Sequence, residues 1–88
     1  MKLKGTFVLT ELGDGYAAVP TGGDFRGIIR LNVTSRDIWQ GIAEGKSEEE
    51  IAAQLVSSYS GVDEECALRS VRQITDLLRR ENLLYDEA

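Results

Sequence analysis

The chain has 88 residues, 42% of them hydrophobic, and its 15 acidic and 10 basic side chains give a net charge of −5. This length supports one domain with one modest core, so we expect a single domain over residues 1–88. The negative charge argues against nucleic-acid binding, which draws most of its affinity from lysine and arginine on phosphates. No apolar run approaches the roughly 20 residues of a membrane-spanning helix, and we expect no membrane partner.

The N-terminus and the cysteine content predict a cytoplasmic location. Residues 1–5 are followed by alternating side chains rather than by the continuous apolar stretch of a secretory signal. The single cysteine, Cys66, cannot form an internal disulfide, which is consistent with a reducing compartment.

The first third of the chain predicts three short antiparallel strands. Residues 6–11 and 16–19 are rich in β-branched and aromatic side chains, and the Asp-Gly pair between them favours a hairpin turn. We expect Pro20 to end the second strand. After a glycine-rich turn, residues 25–31 are predicted to form the third strand.

The rest of the chain predicts three helices. Thr34 or Ser35 can cap the first helix, and Asp63 can cap the third. The second helix begins at Ser47 with the Ser-x-x-Glu form of a capping box. The positions expected to be buried are Ile38, Trp39 and Ile42, then Ile51, Ala52, Leu55, Val56 and Tyr59, then Ala67, Val71, Ile74 and Leu78. We expect residues 83–85 to fold back onto the core.

Three strands followed by three helices predict an α+β fold.

Catalysis has little support in this sequence. There is no histidine, so the usual general base near neutral pH and the commonest transition-metal ligand are missing. We expect Cys66 to be a small, partly buried apolar residue. The acidic clusters are expected at helix starts, where the helix dipole favours them, and they lack the spacing of a calcium loop. We therefore expect a protein that is not an enzyme and that uses no metal or cofactor.

The third predicted strand is a candidate binding edge. Alternation places Arg26, Ile28 and Arg30 on one face and Phe25, Gly27, Ile29 and Leu31 on the other. At the edge of a sheet, the free N–H and C=O groups of this strand can pair with an extended peptide. The spacing also fits an ordinary hairpin strand whose arginines lie outside for solubility.

The third helix is a candidate second wall for that site. A helical wheel puts Arg69, Gln73 and Leu77 on a flank beside the core positions. Acidic and basic side chains are nearly balanced on this helix, which argues against a DNA-reading role. A solvated face with ion pairs such as Arg72 with Asp76 is the alternative.

Three segments resemble a known family. GIIRLNVT at 27–34, IW at 38–39 and EGKSEEEI at 44–51 are similar to the family of coenzyme PQQ synthesis protein D, PqqD. The resemblance spans residues 7–84 and includes the 59–63 connection and the closing double leucine. It implies a winged helix-turn-helix-like domain of three strands and three helices.

The resemblance also implies a function. Members of the family are recognition elements for ribosomally made peptides that are later modified. Some of them serve peptides unrelated to PQQ. A leader peptide is expected to add to the third strand and to lie against the third helix. The implied peptide-binding residues are Arg26, Gly27, Ile28, Ile29, Arg30 and Leu31, with Arg69, Gln73 and Leu77 on the helix. Arg26 and Arg30 are expected to pair with acidic leader side chains.

The implied partners are the precursor peptide and a modifying enzyme, such as a radical S-adenosylmethionine protein or a leader protease. Two other functions remain open at this point. A winged-helix nucleic-acid-binding regulator shares the architecture, and a structural subunit of a larger enzyme would need no peptide at all. The sequence is compatible with a monomer or a dimer.

Overall fold

The computed structural model describes residues 1–23 and 25–85. The strands are β1 (Lys2–Leu3), β2 (Thr6–Leu12), β3 (Gly15–Gly22), β4 (Ile29–Leu31) and β5 (Leu84–Tyr85), and the helices are α1 (Val33–Ala43), α2 (Glu48–Ser58) and α3 (Glu64–Arg80). The predicted α+β order of a three-stranded antiparallel sheet followed by three helices is confirmed. No helix in the described part of the chain is long and apolar enough to cross a membrane.

The main sheet has the order β2-β3-β4, so β4 is an edge strand. β2 and β3 form the predicted hairpin, and β4 pairs antiparallel with β3. A second, two-stranded sheet joins β1 to β5, which brings the first residues of the chain beside residues 84 and 85. The sequence did not predict this sheet, because a two-residue strand has too few positions to show a period.

The third strand is shorter than predicted. Its register with β3 begins at Ile29 rather than at residue 25. The chain bends at Gly27, and a Cβ atom built there would lie 2.9 Å from Cζ of Phe25. The Phe25 ring therefore folds back over Gly27, and this local turn interrupts the regular ladder. The predicted alternation of exposure nevertheless holds from residue 25 to residue 31.

The prediction that Pro20 ends the second strand is wrong, because β3 continues to Gly22. Proline removes a backbone donor, so it is tolerated in a strand only at an edge or a bulge. Pro20 meets both conditions. β4 pairs only with residues 16–18 of β3, and the β2 ladder has an irregularity between Thr6 and Phe7, the residue that pairs with Pro20.

Two of the three predicted helix starts are confirmed. Ser47 and Glu50 form the capping box, and the Asp63 side chain accepts from the backbone N–H of Cys66. The predicted cap at Thr34 or Ser35 is wrong. The side chain of Asn32, the residue after β4, accepts from the Ser35 N–H at 2.8 Å, so α1 begins two residues earlier.

The core lies between the helices and one face of the sheet. Its largest fully buried side chains are Ile38, Ile42, Ile51, Leu78, Val71 and Thr75. Leu83 and Leu84 pack into it as predicted.

Three burial predictions are wrong or incomplete. Val56 is 39% exposed and Cys66 is exposed, because both lie off the buried line of their helices. Ile74 is only half-buried, and Thr75 occupies the fully buried position beside it. Thr75 tolerates burial because its hydroxyl donates to Oε2 of Glu48 at 3.2 Å.

Candidate functional site

The edge of β4 is the first part of the candidate site. On one side, β4 pairs with β3 through Leu31 with Tyr16, Arg30 with Ala17 and Ile29 with Ala18. Its other side has no strand partner among the residues that the structure describes. Backbone groups on this side are therefore available to another extended chain.

The side chains of this segment alternate between core and solvent. Leu31 is buried and Ile29 is half-buried against the core, whereas Arg26 and Arg30 are exposed. Ile28 lies between the two arginines and is 60% exposed. Neither arginine makes an ion pair with any described residue. The segment thus presents one aliphatic and two cationic groups to solvent.

Aromatic packing holds the residues that precede β4. The Phe25 ring lies 6.2 Å from that of Phe7. Phe7 in turn meets Trp39 of α1 in an edge-on contact, with 5.0 Å between the ring centroids. Residues 25–28 are thus anchored to the core through side chains although they lie outside the strand ladder.

A polar network lies on the inner side of the sheet beside the same strand. Arg36 of α1 donates from Nη2 to Oδ1 of Asp37 at 2.8 Å, and its guanidinium carbon lies 4.6 Å from the centre of the Tyr16 ring. The Tyr59 hydroxyl donates to Oδ2 of Asp37. Since Tyr16 is the register partner of Leu31, this network connects α1 and the end of α2 to the β3–β4 pair.

The Asp37 carboxylate shifts the pKa of both of its hydrogen-bond donors. The hydrogen bond to the Asp37 carboxylate, together with partial burial, raises the pKa of Tyr59 above its ordinary value. The same carboxylate, through its hydrogen bond to Arg36, raises the pKa of that guanidinium. Tyr59 therefore stays neutral and donates to Asp37 throughout the physiological pH range.

The three helix residues predicted for the site are spaced four apart on α3, so at 100° per residue they follow one flank that turns by about 80° from Arg69 to Leu77. Arg69 contacts Oε1 of Glu65 at 3.4 Å. Arg69 and Gln73 share a shallow depression whose other lining residues are Glu65, Leu68, Arg72 and Asp76, all on α3 itself. Leu77 lies one turn beyond Gln73, outside this depression, and is 37% exposed.

The hydrogen bond from Thr75 to Glu48 shows which side of α3 faces α2. At 100° per residue, Ser70, Ile74 and Leu77 lie on the opposite side of the buried line through Val71. Ser70 and Ile74 are half-buried there. Helical spacing predicted Ile74 in the core and did not single out Ser70, because spacing alone does not show which flank a neighbouring helix covers.

Known proteins resemble this chain in sequence and in fold. The model of the family "Coenzyme PQQ synthesis protein D (PqqD)" matches residues 8–84. The solved structure of TbiB1 in complex with the TbiA(beta) leader peptide is similar with a TM-score of 0.78 and 26% sequence identity, over 100% of this chain and 99% of TbiB1. No curated protein matches the sequence significantly. The family match covers most of the chain, so the chain belongs to the PqqD family.

Proposed function

We propose that this protein captures the leader segment of a ribosomally synthesised precursor peptide and presents it to a modifying enzyme, without catalysing a reaction itself. The observation that carries the proposal is the free edge of β4, which a peptide can extend as a further strand. The TbiB1 structure supports it, because that similar protein is in complex with a leader peptide.

Strand addition supplies affinity from the backbone. Each hydrogen bond that the leader makes with the edge contributes on the order of 1 kcal/mol net, so a few such bonds give only modest binding. Side chains must then supply selectivity. Ile28 offers an aliphatic contact at the centre of the edge, and Arg26 and Arg30 favour acidic leader residues on the same side of the added strand.

The second wall of the site comes from α3. We assign it to the flank away from α2, where Leu77 is exposed and Ser70 and Ile74 are half-buried. This flank is more apolar than the depression that holds Arg69 and Gln73. Apolar leader side chains are expected to bury against Leu77 and Ile74, and the two polar residues contact the leader only at the rim.

The proposed partner is an enzyme of the kinds that work with other members of the family, a radical S-adenosylmethionine protein or a leader protease. The proposed location is the cytoplasm. In this account the recognition protein needs no cofactor, because the chemistry belongs to its partner.

Calorimetric titration tests the proposal. The purified protein is titrated with synthetic leader segments from short reading frames encoded beside its gene, with a scrambled version of each peptide as the control. Saturable one-to-one binding of one leader, without binding of its scrambled form, is the expected result. A folded protein that binds none of these leaders would contradict the proposal.

A further inference from the structure

The sheet has a second face that no helix covers in the described structure. The strand residues that pack into the core lie on one face of the sheet, and they include Phe7, Leu9, Ala18 and Ile29. The residues on the opposite side of the alternation, which we call the outer face, are Val8, Thr10, Leu12, Ala17, Val19 and Arg30.

The outer face is apolar over its β2 part. Val8 is 53% exposed and lies directly opposite Val19, and Leu12 is 44% exposed. Val8 and Val19 form a cross-strand aliphatic pair on this face, and Thr10 lies between them and Leu12. Thr10 and Arg30 continue the face in register from β2 to β4 on either side of Ala17, which is itself fully buried.

The charge on this face is opposite in sign to that of the whole chain. The chain carries a net charge of −5, yet none of the six outer-face residues is acidic and Arg30 is exposed without an ion-pair partner in the described residues. Arg26 and Ile28 alternate in phase with Arg30 and extend the same surface. A second copy laid face to face would offer no carboxylate to Arg30 from its own outer face. The face instead fits a protein surface that is apolar at its centre and carries carboxylates at one side.

We propose that the outer face is a second docking surface, which binds an apolar, carboxylate-bearing patch on the enzyme that modifies the captured peptide. The inference rests on the proposed function and adds the β2 and β3 part of the sheet to it, while Arg26, Ile28 and Arg30 border both surfaces. Because Arg30 belongs to β4, the outer face adjoins the edge where the leader adds. An enzyme docked there lies beside the captured peptide without competing for the backbone of the edge.

Variants at Val8 test the proposal, because β2 lies at the opposite side of the sheet from the leader edge. The probe is the purified modifying enzyme encoded with the precursor that the protein binds, titrated by calorimetry. Val8→Glu is expected to weaken enzyme binding about tenfold or more. Val8→Lys removes the same aliphatic contact, but its charge is attracted rather than repelled by carboxylates opposite Arg30, about two strand spacings or roughly 10 Å away, so it is expected to weaken binding somewhat less than Val8→Glu. Val56→Glu, at a similarly exposed valine on α2, is the matched control and is expected to leave enzyme binding unchanged.

Leader affinity is measured for the same variants and is expected to equal that of the wild type, so a failure of leader capture is distinguished from a failure of enzyme docking. Enzyme binding by Val8→Glu at wild-type strength, a larger loss with lysine than with glutamate, or no binding of the enzyme by the wild type would each overturn the proposal. A dimer in sedimentation that Val8→Glu dissociates would also overturn it, because the face would then be an interface between copies.

Discussion

Ile28 is a large aliphatic side chain that remains 60% exposed between two arginines. Exposed single aliphatic residues are common on proteins, but this one stands beside the free backbone of an edge strand. Its position also lies one residue before the ladder with β3 begins. A change at this residue is thus expected to affect an added peptide more than the fold.

Replacing Ile28 with proline tests this separation. Proline removes one backbone donor and fixes φ, so it opposes strand addition. We expect leader affinity to fall about tenfold or more and the free energy of unfolding to change by less than about 1 kcal/mol, since residue 28 precedes the ladder. Calorimetry and urea denaturation measure the two effects, with Ile28→Val as the control that keeps the backbone donor. Global unfolding of Ile28→Pro would show that the segment is structurally central rather than an edge.

Tyr59 joins the end of α2 to α1 through its hydrogen bond to Asp37. Tyr59→Phe removes a hydrogen bond to a charged group, and we expect a loss of about 1 to 2 kcal/mol in the free energy of unfolding. The pKa of Tyr59 is raised in the fold, so its contribution is complete below the ordinary tyrosine value of about 10 and is lost as pH rises through the folded pKa.

Urea denaturation at neutral pH and between about pH 9 and 11 measures this effect. The wild type is expected to lose stability across the alkaline range more steeply than Tyr59→Phe. Tyr85→Phe, at an exposed tyrosine, controls at neutral pH for the loss of a hydroxyl and is expected to be silent. Equal alkaline slopes for the wild type and Tyr59→Phe would refute the role given to the hydrogen bond.

Among the elements, α3 shows most clearly how one cap supports a helix. Its N-cap Asp63 accepts from the Cys66 N–H at 2.7 Å, and this backbone hydrogen bond lowers the pKa of the Asp63 carboxyl. A carboxylate with a lowered folded pKa contributes stability above the ordinary aspartate value of about 3.9, and that stability is lost as pH falls through the folded pKa.

Two replacements of Asp63 separate the cap from the charge. Asparagine is as good an N-cap as aspartate but does not titrate, whereas alanine removes the cap. We expect Asp63→Ala to lower the Tm by about 5 °C at pH 7 and Asp63→Asn to lower it much less. Thermal unfolding from pH 7 to pH 3 is expected to show a weaker acid dependence for both variants than for the wild type. An unchanged acid dependence in Asp63→Asn would contradict the assigned role of the carboxylate.

The packing of α1 on α2 depends on the absence of a side chain at Gly41. A Cβ atom there would lie 2.6 Å from Cγ1 of Ile51, a β-branched side chain that is only 1% exposed, so one of the two helices or this side chain must shift. We expect Gly41→Ala to lower the free energy of unfolding by about 1 to 3 kcal/mol, although alanine favours helix. Urea denaturation of this variant and of Gln40→Ala, an exposed neighbour, measures the difference. A stabilised Gly41→Ala protein would mean that propensity outweighs the steric conflict.

Features that depend on local backbone geometry follow from the sequence, whereas features that depend on packing between distant elements do not. The exposure of Arg26, Ile28 and Arg30 follows from alternation, which is a property of the extended backbone, and the sequence predicts it although the ladder is shorter. The flank of α3 that α2 leaves uncovered depends on where α2 packs, and nothing in the local pattern of Ile74 or Thr75 reveals that.

Across the whole molecule, the ends of the chain meet. The Lys4 backbone N–H donates to the carbonyl of Leu83 at 2.7 Å, and Nζ of Lys4 donates to Oδ1 of Asn82 at 2.8 Å. Such contacts between residues almost 80 positions apart leave no signal in a local pattern. The β1–β5 pair forms a sheet of its own, so among the described residues it does not pair with the outer side of β4.

The same whole-molecule arrangement gives the main sheet two unlike edges. β2 is a seven-residue edge that carries the exposed Val8 and Leu12, and β4 is a three-residue edge at which Arg26 and Arg30 make no ion pair with a described residue. In the proposed function only the β4 edge receives the leader, and α3 closes the site from the other side. β2 and β4 both have one side without a strand partner in the described residues. The central claim is therefore that the leader adds to β4 and not to β2.

NMR titration of the isotope-labelled protein with its leader peptide tests this claim most directly. The account predicts amide shift changes and new hydrogen-exchange protection in residues 26–31, with shift changes in α3 at Ser70, Ile74 and Leu77 and none along Thr6–Leu12. Protection along the β2 edge, or shift changes confined to the helices, would contradict it.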